Sequence, residues 1–141
     1  MKTVSEIMTK DPACCTADAG LQEVAKLMVE NDCGCIPVVK DGEPVGTITD
    51  RDICCRTVAE GKNPLDLTAA DVMTSNVVSV TPDTTLDECY KVMEDHQIRR
   101  VIVLSRDDNR LVGVVSLGDI ARSSAQKTSA EVLQSVSEPT N

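Results

Sequence analysis

The sequence predicts an α+β fold made twice over: two β-α-β-β-α units stacked through their sheets. Three observations carry this expectation. The stretch Gly46-Thr47-Ile48-Thr49-Asp50-Arg51-Asp52-Ile53 recurs as Gly113-Val114-Val115-Ser116-Leu117-Gly118-Asp119-Ile120. Both copies read glycine, two β-branched residues, a hydroxyl, two variable residues, aspartate and isoleucine. Landmarks ahead of each copy also recur at a spacing of 65 residues, among them Met8 with Met73, and Thr16-Ala17-Asp18 with Thr81-Pro82-Asp83. Self-similarity at a fixed spacing is the mark of a repeat architecture. Finally, a unit of roughly 55 residues has a marginal core by itself. Two units stacked through their sheets bury more, at roughly 25 cal/mol per Å² of apolar area.

Each element follows from its residues. Thr3 and Glu6 fit a capping box for one short helical turn, with Val4, Ile7 and Met8 on its apolar face. Thr68 to Thr74 repeats that turn. Pro12 to Thr16 and Val77 to Thr81 read as short extended pieces. Helical spacing follows at Leu21, Val24, Ala25 and Met28, and again at Leu86, Cys89, Tyr90 and Met93. This places Tyr90 on a buried stripe. Thr85 and Glu88 supply a second capping box, and Gly20 with Glu23 a weaker one. Ile36-Pro37-Val38-Val39 and Val101-Ile102-Val103-Leu104 suit buried strands. Asp41-Gly42 is a hairpin turn signal. Ser105 to Arg110 is its longer counterpart, with two extra residues. Val45 to Thr49 and Leu111 to Ser116 complete two hairpins. A helix over about Arg51 to Glu60 ends at Gly61, and its partner begins near Gly118. The expected organisation is repeat 1 over 3–60, a linker over 61–67, repeat 2 over 68–123 and a polar tail over 124–141. Within the tail, Val132, Leu133 and Val136 suit a short amphipathic helix.

Composition narrows the function. The chain has 141 residues, 41% hydrophobic, with no Trp or Phe and Tyr90 as its one aromatic residue. That excludes an aromatic platform for single-stranded nucleic acid. A net charge of −9 repels nucleic acid and anionic lipid. No apolar run approaches the ~20 residues that span a bilayer, and Met1 to Glu6 lacks a signal-type apolar region. The expected location is cytoplasmic. Seven cysteines, an odd number, argue against a disulfide framework. Their positions in and beside apolar slots suit small buried hydrophobes. Cys33-Gly34-Cys35 is closer than the two to four intervening residues usual for zinc. A redox-sensing pair is the remaining reading of these thiols. His96 has no evident base partner and suits a contact with a helix C-terminus. No Ser-His-Asp set, Walker loop or Gly-x-Gly-x-x-Gly is present, and a non-enzymatic role is expected.

The repeated hydroxyl-x-x-Asp admits two readings. Thr49 with Asp52, and Ser116 with Asp119, fit an N-cap with an acidic third helical residue. An ionised carboxylate also accepts hydrogen bonds from the two vicinal hydroxyls of a ribose, while the adjoining helix start offers amides to a phosphate. Around the first pair stand Arg51 and Arg56, offset by Asp50. Around the second stand Arg99, Arg100 and Arg122, with Gly118 permitting close backbone approach. A phosphate-bearing ligand is therefore expected at the second pair. Arg99 and Arg100 equally fit a solvated turn.

With these residues in view, the chain resembles a tandem pair of CBS domains, the domains named from cystathionine β-synthase and known in pairs as a Bateman module. Ile7-Met8-Thr9, Ile36-Pro37-Val38-Val39, Gly46 to Ile53 and their counterparts carry the resemblance, which spans residue 3 to about 123. It implies sheets packed face to face with pseudo-two-fold symmetry, and two pairs joined as a homodimer. It implies clefts that bind adenosine compounds: AMP, ADP, ATP, NADH or S-adenosylmethionine, with AMP or ATP foremost, as regulatory ligands and not required cofactors. The motif carboxylates, Asp52 and Asp119, would take the ribose. Thr16 with Cys35-Ile36-Pro37 would wall the base at the first site, and Thr81 with Arg100-Val101-Ile102 at the second. Ile102 stands where proline is usual. The implied role is to regulate an unidentified effector protein, without nucleic-acid or membrane partners. A ligand-free protein–protein interaction module, or a cysteine-based redox or metal sensor, are the alternatives.

Overall fold

The computed structural model describes residues 2–125. Strands run Thr9–Lys10 (β1), Cys35–Lys40 (β2), Glu43–Thr49 (β3), Ser79–Val80 (β4), Arg100–Leu104 (β5) and Leu111–Ser116 (β6). Helices run Leu21–Asn31 (α1), Asp50–Arg56 (α2), Ala69–Val72 (α3), Leu86–His96 (α4) and Leu117–Ala125 (α5). The expected tail helix at Val132, Leu133 and Val136 lies outside the described residues.

One sheet has the order β1-β6-β5-β4. The other is the β2-β3 hairpin, extended on both sides by single bridges from Cys15 to Val38 and from Thr74 to Thr47. The two registers correspond. Val80 pairs in parallel with Val103 as Cys15 does with Val38, and Thr9 pairs antiparallel with Val114 as Thr74 does with Thr47. Duplication is therefore preserved strand by strand, with the two extra residues absorbed in the β5–β6 turn. In the β2–β3 hairpin Asp41 and Gly42 both take positive φ, 55° and 85°, as an Asp-Gly turn requires.

The packing units do not coincide with the sequence units. The first turn of each repeat completes the other repeat's core. Val4, fully buried, joins Val80, Cys89, Met93, Val101, Val103 and Val115. Ala69 and Val72 join Leu21, Val24, Ile36, Val38 and Ile48. Backbone bonds fix the exchange: Val4 N donates to Thr84 O (2.8 Å) as Ala69 N donates to Ala19 O (2.8 Å). All three capping boxes expected from Thr3, Thr68 and Thr85 form, although the Thr3 turn is 3-10 in type, over Val4–Glu6.

Glycine in β3 and β6 is explained by this exchange. A Cβ on Gly46 would stand 2.8 Å from Met73 Sδ and 3.0 Å from Thr74 O. On Gly113 it would stand 2.6 Å from Met8 Sδ and 3.0 Å from Thr9 O. The Met-Thr segment of each repeat thus lies directly on the other repeat's last strand.

Three expectations are corrected. Tyr90 is exposed at 47% while Leu86, Cys89 and Met93 are buried. The buried arc of α4 turns toward Val92, which packs on the core, and leaves Tyr90 beyond its far edge. The helix expected to reach Glu60 ends at Arg56; a 3-10 turn over Val58–Glu60 follows, closed by Gly61 at φ 72°. The cysteines divide: Cys15 and Cys89 are buried and Cys35 half-buried, but Cys14, Cys33, Cys54 and Cys55 are exposed. Cys15, bridged to Val38, turns inward while its neighbour Cys14 turns outward, and the inward positions around α2 belong to Ile53 and, just past the helix end, Thr57.

Burial pushes the thiols of Cys15, Cys35 and Cys89 up from the ordinary 9.0 to about 11. Between those values the unfolded chain ionises and the native one does not. The stability these thiols lend is therefore whole below pH 9 and lost as pH rises toward 11. Cys89→Ala is expected to flatten the alkaline fall in melting temperature across this window, measured by scanning calorimetry at stepped pH.

Candidate functional site: two clefts with crossed walls

Each motif carboxylate sits where a strand hands over to a helix. At the end of β3, Asp52 N donates to Thr49 Oγ1 and Thr49 N donates to Asp52 Oδ2, both at 3.0 Å. At the end of β6, Asp119 N donates to Ser116 Oγ (3.1 Å) and Ser116 N donates to Asp119 Oδ2 (2.9 Å). The capping reading is thus realised in both copies. It occupies one carboxylate oxygen in each. Asp52 Oδ1 accepts no hydrogen bond among the described residues. Asp119 Oδ1 accepts from Arg122 Nη2 in an i, i+3 ion pair.

Both carboxylates open onto clefts. The Asp52 cleft holds about 650 Å³ and the Asp119 cleft about 480 Å³. These volumes fall in the range of small-molecule sites. The crevices are not filled by side chains, so capping and ligand binding are compatible.

The walls are crossed between repeats, which corrects the sequence expectation. Opposite Asp52 and Thr49 stand Val78, Ile98, Arg99, Arg100, Val101 and Ile102, all from the second repeat. Opposite Asp119 and Ser116 stand Pro12, Ala13, Cys33, Gly34 and Cys35 from the first. Cys35 lines the Asp52 cleft as expected and the Asp119 cleft as well, whereas Val101 and Ile102, expected beside Asp119, line the Asp52 cleft. The cause is the exchange of first turns, which sets the end of each repeat's last strand against the other repeat's opening segment. Cys35, Arg100 and Val114 line both clefts and form the partition between them.

Other expected residues fall elsewhere. Ile36 and Pro37 are buried in the strand core and line neither cleft. Thr16 and Thr81 also lie outside both clefts, each donating from Oγ1 to a carboxylate two residues on, Asp18 and Asp83. That bond from Thr81, with Arg106 beside it, holds the Asp83 carboxyl below its ordinary range. Gly118 lines neither cleft, and a Cβ there would meet Arg122 Nη1 only at 3.4 Å, so no close approach demands glycine. Arg56 is turned away from Asp52: its Nη1 donates to Val72 O and Met73 O, both at 3.0 Å, closing the end of α3. Arg51 does line the Asp52 cleft, and Arg122 the Asp119 cleft. Arg99, expected beside Asp119, lines the Asp52 cleft instead, and Arg100 lines both. His96 Nδ1 lies 3.0 Å from Val92 O within its own helix, away from both clefts.

Several lining residues carried no motif. Asp32 and Gln97 follow the ends of α1 and α4 in left-handed conformation, at φ 48° and 54°. Asp11 and Asn76 precede the extended segments. The readable signal was their equivalence under the repeat spacing. Among the described residues, no group of three or more His, Cys, Asp or Glu is placed to hold a metal ion. No described helix is long and apolar enough to cross a membrane.

Two interlocked repeats around a pair of carboxylate clefts define a tandem-repeat module. A family model described as CBS domain matches residues 4–56 and 69–126, and the chain belongs to that family as a tandem CBS pair. CBS domain-containing protein YhcV of Bacillus subtilis is 38% identical over 130 residues, which cover 92% of this chain and 91% of that protein. Hypoxic response protein 1 of Mycobacterium tuberculosis is 33% identical, covering 99% of this chain and 96% of that protein. The CBS domain pair of protein MJ0100, solved in complex with 5′-methylthioadenosine and S-adenosyl-L-methionine, is 29% identical with a TM-score of 0.82. The match covers 91% of this chain and 99% of that one.

Proposed function

We propose that the chain is a non-catalytic regulatory module that senses adenosine-containing compounds in its two clefts. The observation that carries this reading is the placement of Asp52 and Asp119 in clefts of ligand size, each walled by both repeats. The adenosine complex of the MJ0100 pair supports the same class of ligand. AMP and ATP are the first candidates, as effectors and not required cofactors. A compound seated between the repeats alters the angle between them by as much as its preference for one arrangement allows. A second copy of the chain and an effector protein read that change. Exposed Val29, Val58, Leu65 and Tyr90 support such contacts, and they equally favour the alternative of an interaction module without a small ligand.

Asp→Asn substitution separates the two. Asparagine keeps a carbonyl acceptor for the cap while removing the charge that favours ribose hydroxyls, worth about 1.5–3 kcal/mol per charged hydrogen bond. Asp52→Asn combined with Asp119→Asn is expected to melt within a few degrees of the parent without ligand. Its thermal shift with AMP, ATP and S-adenosylmethionine should disappear. No shift in the parent protein sinks the sensing reading and leaves the interaction module. Light scattering on the same samples reports the oligomeric state.

A further inference from the structure

We infer that the two clefts divide adenosine ligands by charge: the Asp52 cleft takes a phosphate-bearing compound, and the Asp119 cleft takes one without phosphates. This rests on the adenosine reading above and goes beyond it by assigning a ligand class to each cleft.

The repeat spacing allows position-by-position comparison, because every lining residue has a counterpart. Where the Asp119 cleft presents the carboxylates of Asp32 and Asp11, the Asp52 cleft presents the amides Gln97 and Asn76. These are acid-to-amide exchanges that remove negative charge and keep hydrogen-bonding capacity. Where the Asp119 cleft has Gly34, the other has Arg99; where the second repeat has Gly118, the first has Arg51. Four exchanges run in one direction. Lys10 and Asp50, whose counterparts are Ser75 and Leu117, run in the other. Arg122, counterpart of Cys55, is committed to Asp119. Arg51, Arg99 and Arg100 form no ion pair among the described residues.

The Asp52 cleft therefore offers uncommitted guanidinium groups, the side chain whose fork suits phosphate oxygens. The lining of the Asp119 cleft sets the carboxylates of Asp11, Asp32 and Asp119 against Lys10, Arg100 and Arg122, which leaves no cationic excess for a phosphate chain and suits a neutral or cationic substituent on the 5′ carbon. The left-handed backbone shared by Asp32 and Gln97 shows that glutamine fits that conformation. Asp32→Gln is thus a clean charge exchange.

The test is calorimetric titration with ADP and with 5′-methylthioadenosine on the parent protein, Arg99→Gln and Asp32→Gln. The parent is expected to bind one equivalent of each, without mutual exclusion. Arg99→Gln should weaken ADP by about tenfold or more, the loss of one charge-assisted contact, and leave the thioether unmoved. Asp32→Gln should admit a second equivalent of ADP. ADP indifferent to Arg99→Gln, or a single equivalent of ADP in Asp32→Gln, overturns the charge assignment and spares the adenosine reading. Heat with only one compound in the parent also overturns the charge assignment alone, and absence of heat with both removes both readings.

Discussion

Val4→Asp is expected to destabilise the second repeat, although Val4 stands at the start of the first. The side chain is fully buried among Val101, Val103 and Val115. A carboxylate there has no cation to meet it, and burying an unpaired charge costs more than about 4 kcal/mol. Hydrogen exchange should show β5 and β6 losing protection before β2 and β3. Ala69→Asp is the mirror experiment: its side chain enters the core around Ile36 and Ile48, so β2 and β3 should open first. Loss confined to the repeat that carries the substitution would show that the first turns are not exchanged.

Gly46→Val should be the next most damaging change. Its Cβ meets Met73 Sδ at 2.8 Å and the Thr74 carbonyl oxygen at 3.0 Å. The thioether can yield; the backbone carbonyl is held by Thr47 N at 2.9 Å. Overpacking of this kind costs about 1–3 kcal/mol, occasionally more. Urea unfolding measures the loss directly. Adding Met73→Ala should restore part of it, because the sulfur supplies the closest contact, while the strain against Thr74 remains. A double variant no better than the single one would place the whole cost on the carbonyl.

Much of the fold was legible because its signals are local. The two Gly-to-Ile stretches give strand, cap and helix start within eight residues each, and the capping boxes at Thr49 and Ser116 form from neighbours in the chain. Asp41-Gly42 fixes its hairpin for the same reason. The exchange of first turns was not legible. Thr9 and Lys10 make a strand of two residues, and nothing in so short a piece says which sheet edge it joins. The crossed cleft walls follow from that one choice, so Arg99 was placed with the wrong carboxylate. Tyr90 and the exposed cysteines show the limit of periodicity: it finds a stripe but not the edge at which the stripe meets solvent. Cys54 and Cys55 adjoin the inward-facing Ile53 and still point out, since adjacent helical residues face different directions.

The reciprocal first turns carry a consequence for how such a chain arises. A single unit cut from it would lack the residue that seals its own interior, and would find that residue only on another molecule of the same kind. Two identical units meeting head to head satisfy each other without any covalent join. The segment 61–67 packs Leu67 against the core around Leu21 and Val24, and by joining the halves it also replaces a concentration-dependent encounter by an effectively millimolar, permanent one. Once joined, the halves are free to diverge, and acid can become amide on one side while the other stays as it was.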